Sequence, residues 1–124
     1  VPGMIGIAIG GALGVLARYG LDEWFERRSG LFPWGIFVVN VSGAFLIGLA
    51  VEVMEPRFED VTWLRLAVVT GFLGAYTTFS TLSLDTFRLI DAGDHGVALL
   101  NSVGSLAAGL VAVWLGLKLG RAIA

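Results

Sequence analysis

From Gly71 to Asp85 the sequence reads GFLGAYTTFSTLSLD, and five of the seven positions between Thr77 and Ser83 carry a hydroxyl: Thr77, Thr78, Ser80, Thr81 and Ser83. None of these hydroxyls has a base beside it in sequence, so nucleophilic chemistry is not their use. Glycine and β-branched threonine both weaken a helix, and Gly71 and Gly74 precede three threonines, Thr77, Thr78 and Thr81. In an apolar setting, a helix broken here would offer free carbonyl oxygens to a cation, or amide and hydroxyl donors to an anion. The alternative is a kinked packing helix in which each Ser or Thr bonds back to the carbonyl one turn earlier.

Other polar residues stand alone among apolar ones. Asn40, in FVVNVSGAFLIG, would cost several kcal/mol if buried in hydrocarbon without a partner, so it must bond either to another helix or to a passing solute. Asn101 and Ser105 are four residues apart and share a helix face, with Ser102 close by. They either continue a polar track or hold helices together. Arg18, four residues before Asp22, either reaches for the interface or supplies a fixed positive charge at a pore mouth. The Phe79 ring either packs or turns its electropositive edge to an anion. His95, in DAGDHG, reads as a solvated loop residue.

The exclusions are as informative. There is no cysteine, no His/Asp/Glu grouping with metal-site spacing, and no nucleophile–base pair, so an enzyme is not expected. Ten acids against eight bases, with no basic run, give no reason to expect a nucleic-acid partner. The central parts of the apolar runs hold no Asp, Glu, His or Lys, while Glu52 and Asp85 lie towards their ends. Proton-coupled exchange generally needs a titratable group in the membrane, so the chain reads as a passive conductor.

The elements that must position these residues are membrane spans. In 124 residues the hydrophobic fraction is 56%, the charged fraction 15% and the mean hydropathy +0.86, well beyond a soluble domain. Four runs meet or approach the roughly 20 helical residues that cross a bilayer. The reading is an all-α integral membrane protein, one four-helix transmembrane domain over 1–124, with spans at 2–21, 33–53, 61–90 and 96–120. The first run lacks a basic leader region and reads as a retained span. Pro33 suits a first helical turn, Pro56 falls just past the second span, and DEWFERRSG (Asp22 to Gly30) reads as an interfacial turn. Trp24, Phe32, Trp34, Trp63 and Trp114 lie near span ends, where amphipathic rings collect. Four-residue glycine spacing at Gly6, Gly10 and Gly14, and at Gly116 and Gly120, predicts close helix packing. The third span is too long: Trp63 to Ile90 is 28 residues, about 42 Å as one helix, and its midpoint falls on Tyr76 to Thr78. A break at mid-membrane is therefore expected, and it must be buried in protein or line a polar cavity.

If the span ends alternate sides, Arg57, Arg65, Lys118 and Arg121 face one compartment and Arg18, Arg27, Arg28 and Arg88 the other. This four-against-four balance removes the bias that orients most membrane proteins, and fits insertion both ways and pairing with an inverted copy. One fixed topology set by Arg27 and Arg28 is the alternative.

Taken together, GGALGVLARY, NVSGAFLIG and GFLGAYTTFSTLS resemble the Fluc (CrcB) family of fluoride channels over all four spans. The resemblance implies an antiparallel, dual-topology dimer in the cell inner (plasma) membrane, with two fluoride pores and a central structural sodium ion at the third-helix break. It implies that Asn40 lines the pore, that Phe79 is the first phenylalanine of the family's "Phe box", and that the backbone carbonyls of Gly74 and Thr77 hold sodium from both subunits. Arg18 is similar to the vestibule arginine, Ser105 falls in the fourth-helix polar track, and Thr81 and Ser83 are further candidates. Leu82 stands where the second phenylalanine is usual, Asn101 where many members carry tyrosine, and Asp85 where glutamate is common. Leu82 leaves open a homodimer or pairing with a related, non-identical subunit. Two other functions compete with a fluoride channel: a small dual-topology exporter of organic cations, which needs a carboxylate in the first span that Met4 to Tyr19 lacks, and a non-transporting membrane subunit.

Overall fold

The computed structural model describes residues 1–58 and 60–123, with the backbone alone over 55–58. Helix α1 is Pro2–Glu26 and α2 is Trp34–Phe58. The third span starts as one helical rod, α3, made of Thr62–Arg65, Leu66–Leu73 and Gly74–Tyr76, and resumes after a break as α4, Phe79–Asp91. The last helix, α5, is His95–Ile123. Four spans are long and apolar enough to cross a membrane, the third running Thr62–Asp91 through the break.

Three helices extend past the spans expected from the sequence. The α1 helix continues five residues past Leu21, because Asp22 to Glu26 contains neither proline nor glycine, and only the segment after Glu26 turns. The α2 helix runs on to Phe58, with Pro56 inside its last turns and not beyond it. The α5 helix spans His95–Ile123, longer at both ends than 96–120. At the other end of α2, Pro33 immediately precedes the helix, and its carbonyl accepts from Phe37 N–H at 3.3 Å. The Arg57 side chain, used in the charge count, lies outside the described residues.

Between membrane helices there is little hydrophobic gain, so contact depends on how closely backbones approach. Helix α1 lies on α3 through Gly6, Gly10 and Gly14, all buried. A Cβ at Gly10 would collide with the Ala67 carbonyl, and one at Gly14 with the Phe72 carbonyl. The α3 segment facing this ridge, Leu66–Leu73, is wound in wide π-helical turns, which nothing in the sequence announces. Helix α5 lies on α2 in the same way, with Gly116 against the Phe45 carbonyl and Gly120 against Glu52. The outer faces, among them Ile9, Leu13 and Leu16 of α1 and Leu99, Leu106 and Leu110 of α5, are exposed apolar side chains suited to lipid. The most buried cluster is Val39, Leu73 and Tyr76, immediately beside the break.

Candidate ion pathway

The α3 rod ends because Thr77 and Thr78 leave helical geometry: Thr77 has φ −85° and ψ 156°, and Thr78 has φ −149° and ψ 118°. Both are extended conformations that β-branched residues favour. The amides that would have bonded to the last α3 carbonyls are carried away, and each loose group must find another partner.

Some groups are satisfied locally. Thr77 N–H keeps the ordinary helical bond to Leu73 O at 3.2 Å, and Thr77 Oγ1 donates to the same carbonyl at 3.1 Å. Thr78 caps α4, its Oγ1 accepting from Thr81 N–H at 3.2 Å. The others are met from neighbouring helices. Asn40 on α2 accepts from Thr78 N–H through Oδ1 at 2.8 Å and donates to Thr78 O through Nδ2 at 3.1 Å. Arg18 on α1 turns inward and donates from Nε to Ala75 O at 3.2 Å. A positive group at the carbonyl end of a helix is well placed against its dipole. Tyr76, 5% exposed, has its hydroxyl 2.8 Å from Ser42 Oγ. Beside these contacts Gly43 leaves room for Thr77, whose Cγ2 a Cβ at residue 43 would strike.

A groove of ≈ 800 Å³ opens along the break between α2, α4 and α5. Asn40, Gly74, Thr77, Phe79, Ser83 and Ser105 all line it. Of the other candidates, Thr81 is turned back onto Thr78, whose Oγ1 donates to Thr81 Oγ1 at 3.2 Å, and Arg18 stays on the α1 side; neither lines the groove. Phe79 stands on the groove 81% exposed, and Leu82 lines the same wall.

Among the described residues no group of three His, Cys, Asp or Glu side chains could hold a metal ion. The oxygens gathered at the break are carbonyls and hydroxyls, the donor set of a hard monovalent cation. The ordinary helical partners of the Gly74 and Thr77 carbonyls are engaged elsewhere, Thr78 N–H with Asn40 Oδ1 and Thr81 N–H with Thr78 Oγ1.

Two features escaped the sequence reading. One is Thr86 on α4, which donates to Leu82 O at 2.8 Å and accepts from Asn101 Nδ2 at 3.0 Å; Asn101 thereby ties α5 to α4, the helix-holding reading of the two open to it. Asn101 Oδ1 and Ser105 Oγ remain buried without a partner among the described residues. The Ser42–Tyr76 pair was also missed: Ser42 sits two residues after Asn40, but nothing in the sequence says which residue it faces. His95, read as solvated, is exposed but also lines a smaller cleft of ≈ 240 Å³ that shares Thr86, Ile90 and Ser102 with the groove.

Comparison with known proteins places this geometry. A family profile described as "CrcB-like protein, Camphor Resistance (CrcB)" matches residues 5–117. The chain is 49% identical over 118 residues to a protein of Acidobacterium capsulatum named fluoride-specific ion channel FluC, covering 94% of both chains. It is 43% identical over 119 residues to one of the same name from Rhizobium leguminosarum bv. trifolii, covering 95% of both. A Thermus thermophilus protein, also so named, is 46% identical over 119 residues, covering 94% of this chain and 92% of its own. With a match that takes in all four spans and the break between α3 and α4, the chain belongs to the CrcB family.

Proposed function

We propose that this protein is a multi-pass membrane channel, not an enzyme, that lets fluoride cross passively, as the names of its relatives indicate. The observation that carries the reading is the bonding of Asn40 to Thr78, which keeps a mid-span helix break open beside a groove edged with hydroxyls.

Fluoride gives up much hydration to enter a narrow path, so the path must return hydrogen bonds. Asn40 keeps one Nδ2 proton after bonding to Thr78 O, and Ser83 and Ser105 add hydroxyls along the groove. Phe79 offers a ring edge. The break also brings two opposite helix ends together. The carbonyl end of α3 favours a cation, and the amide end of α4 favours an anion. A sodium ion on the Gly74 and Thr77 carbonyls of two subunits would need no carboxylate and would add fixed positive potential near the anion path. In this reading Arg18 acts at the vestibule as a second fixed positive charge, and Thr81 acts through the α4 cap.

The working unit is an antiparallel homodimer with two pores. What supports it is the even lysine and arginine count, together with a groove that leaves Phe79 and Phe87 exposed at 81% and 64% over a floor containing Gly43, Ala44 and Gly109. A related second subunit in place of the inverted copy is the variant that Leu82 suggests. The test is efflux from liposomes carrying the purified protein, with fluoride and chloride measured in parallel. Fluoride release with chloride retained is expected; retention of both, or equal release of both, refutes the proposal.

A further inference from the structure

Three consecutive residues of the break are held from α2. Thr78 is bound through its backbone to Asn40, Thr77 fits against Gly43, and the Tyr76 hydroxyl meets Ser42 Oγ at 2.8 Å. Ser42 Oγ also donates to Val39 O at 3.1 Å, which uses its single proton. Tyr76 is therefore the donor, and the bonds run from Tyr76 O–H to Ser42 to the Val39 carbonyl. The Tyr76 ring is already fixed by stacking on Phe72, with centroids 5.8 Å apart and planes 15° apart. A phenylalanine would fill that space equally well, so packing does not account for the hydroxyl.

Tyr76 is the last helical residue of α3, and the chain becomes extended at the next one. The easiest relaxation of such an end is one more helical residue. If Thr77 took helical dihedrals, its carbonyl would swing to lie along the α3 axis and Thr78 would be drawn away from Asn40. We infer that Ser42 and Tyr76 are positioning residues for the ion pathway: their hydroxyl pair fixes the residue at which α3 stops, and with it the direction of the Thr77 carbonyl. The inference rests on the proposed role of the break in conduction.

The test uses the full-length protein in liposomes with Tyr76→Phe, Ser42→Ala, the double variant, and Ser42→Thr, which keeps a hydroxyl. Two quantities are read: amide hydrogen exchange over residues 77–80 without fluoride, and fluoride efflux as a function of sodium concentration. Each single variant that loses a hydroxyl is expected to speed exchange there about three- to tenfold, the scale of one hydrogen bond. The sodium needed for half-maximal efflux should rise by a similar factor. The double variant should exceed neither single, and Ser42→Thr should behave as the unaltered protein. Unchanged exchange and an unchanged sodium curve in both singles overturn the inference, as do effects that multiply in the double variant. Failure of the unaltered protein to release fluoride would overturn the channel reading instead, and the exchange rates would still decide whether the pair sets the end of α3.

Discussion

Both backbone polar groups of Thr78 are paired with the one side-chain amide of Asn40, at 2.8 Å to Oδ1 and 3.1 Å from Nδ2. For the Thr78 N–H, which has left the α3 ladder, the amide supplies from α2 the acceptor that the broken helix no longer gives. An unpaired buried polar group costs about 1–3 kcal/mol, so this contact is a condition for the break as well as a wall of the groove.

Asn40→Leu should therefore lower fluoride efflux by roughly tenfold or more, through the lost donor and through the Thr78 N–H left without its partner. Liposome efflux, normalised to dimer content by cross-linking, is the measurement. Efflux at the unaltered level would return Asn40 to a packing role.

Gly43→Ala should also reduce efflux, because the added methyl meets Thr77 Cγ2. Thr77→Ser removes that carbon yet keeps the hydroxyl that donates to Leu73 O at 3.1 Å. Combining the two changes should recover most of the lost rate. Without recovery, the loss at Gly43 has another origin.

Phe79→Ile should slow efflux more than Leu82→Ala, because Leu82 already lacks a ring edge that an anion could meet. The change Leu82→Phe separates two accounts of the assembly. Little effect fits a homodimer in which one aromatic per subunit is enough, whereas a large gain in efflux and in cross-linked dimer would identify a chain that normally pairs with a different subunit.

The sequence contains no cysteine, so one introduced near the end of α5, at Ala122, reports orientation without background. Labelling in intact cells with an impermeant maleimide, before and after permeabilisation, should show part of the population reacting from each side. Reaction from a single side would refute dual topology and the antiparallel dimer with it.

Composition and run length were enough to determine four spans, because burying some 20 residues in hydrocarbon demands an apolar sequence whatever the neighbours do. The break was legible for the same kind of reason. A span too long for the bilayer, with glycines and then β-branched threonines at its midpoint, states its own local preference, and Thr77 and Thr78 are extended as that preference requires. The glycine spacing of α1 likewise announced a close approach, since only the absence of a Cβ permits it.

The partners were a different matter. Whether Asn40 meets an ion or a backbone, whether Arg18 reaches outward or turns to Ala75 O, and which hydroxyl answers Ser42 all depend on contacts between residues far apart in the chain. The helices run on past Leu21 and Val53 because the charged residues and the proline that follow do not interrupt the helical hydrogen bonding. The wide turns of Leu66–Leu73 had no local signal at all; they lie where α3 meets the glycine ridge of α1. Local preference settles whether a segment can be a span or a break, whereas the pairing of a buried polar group is decided only when the helices are brought together and each group must find a partner without water.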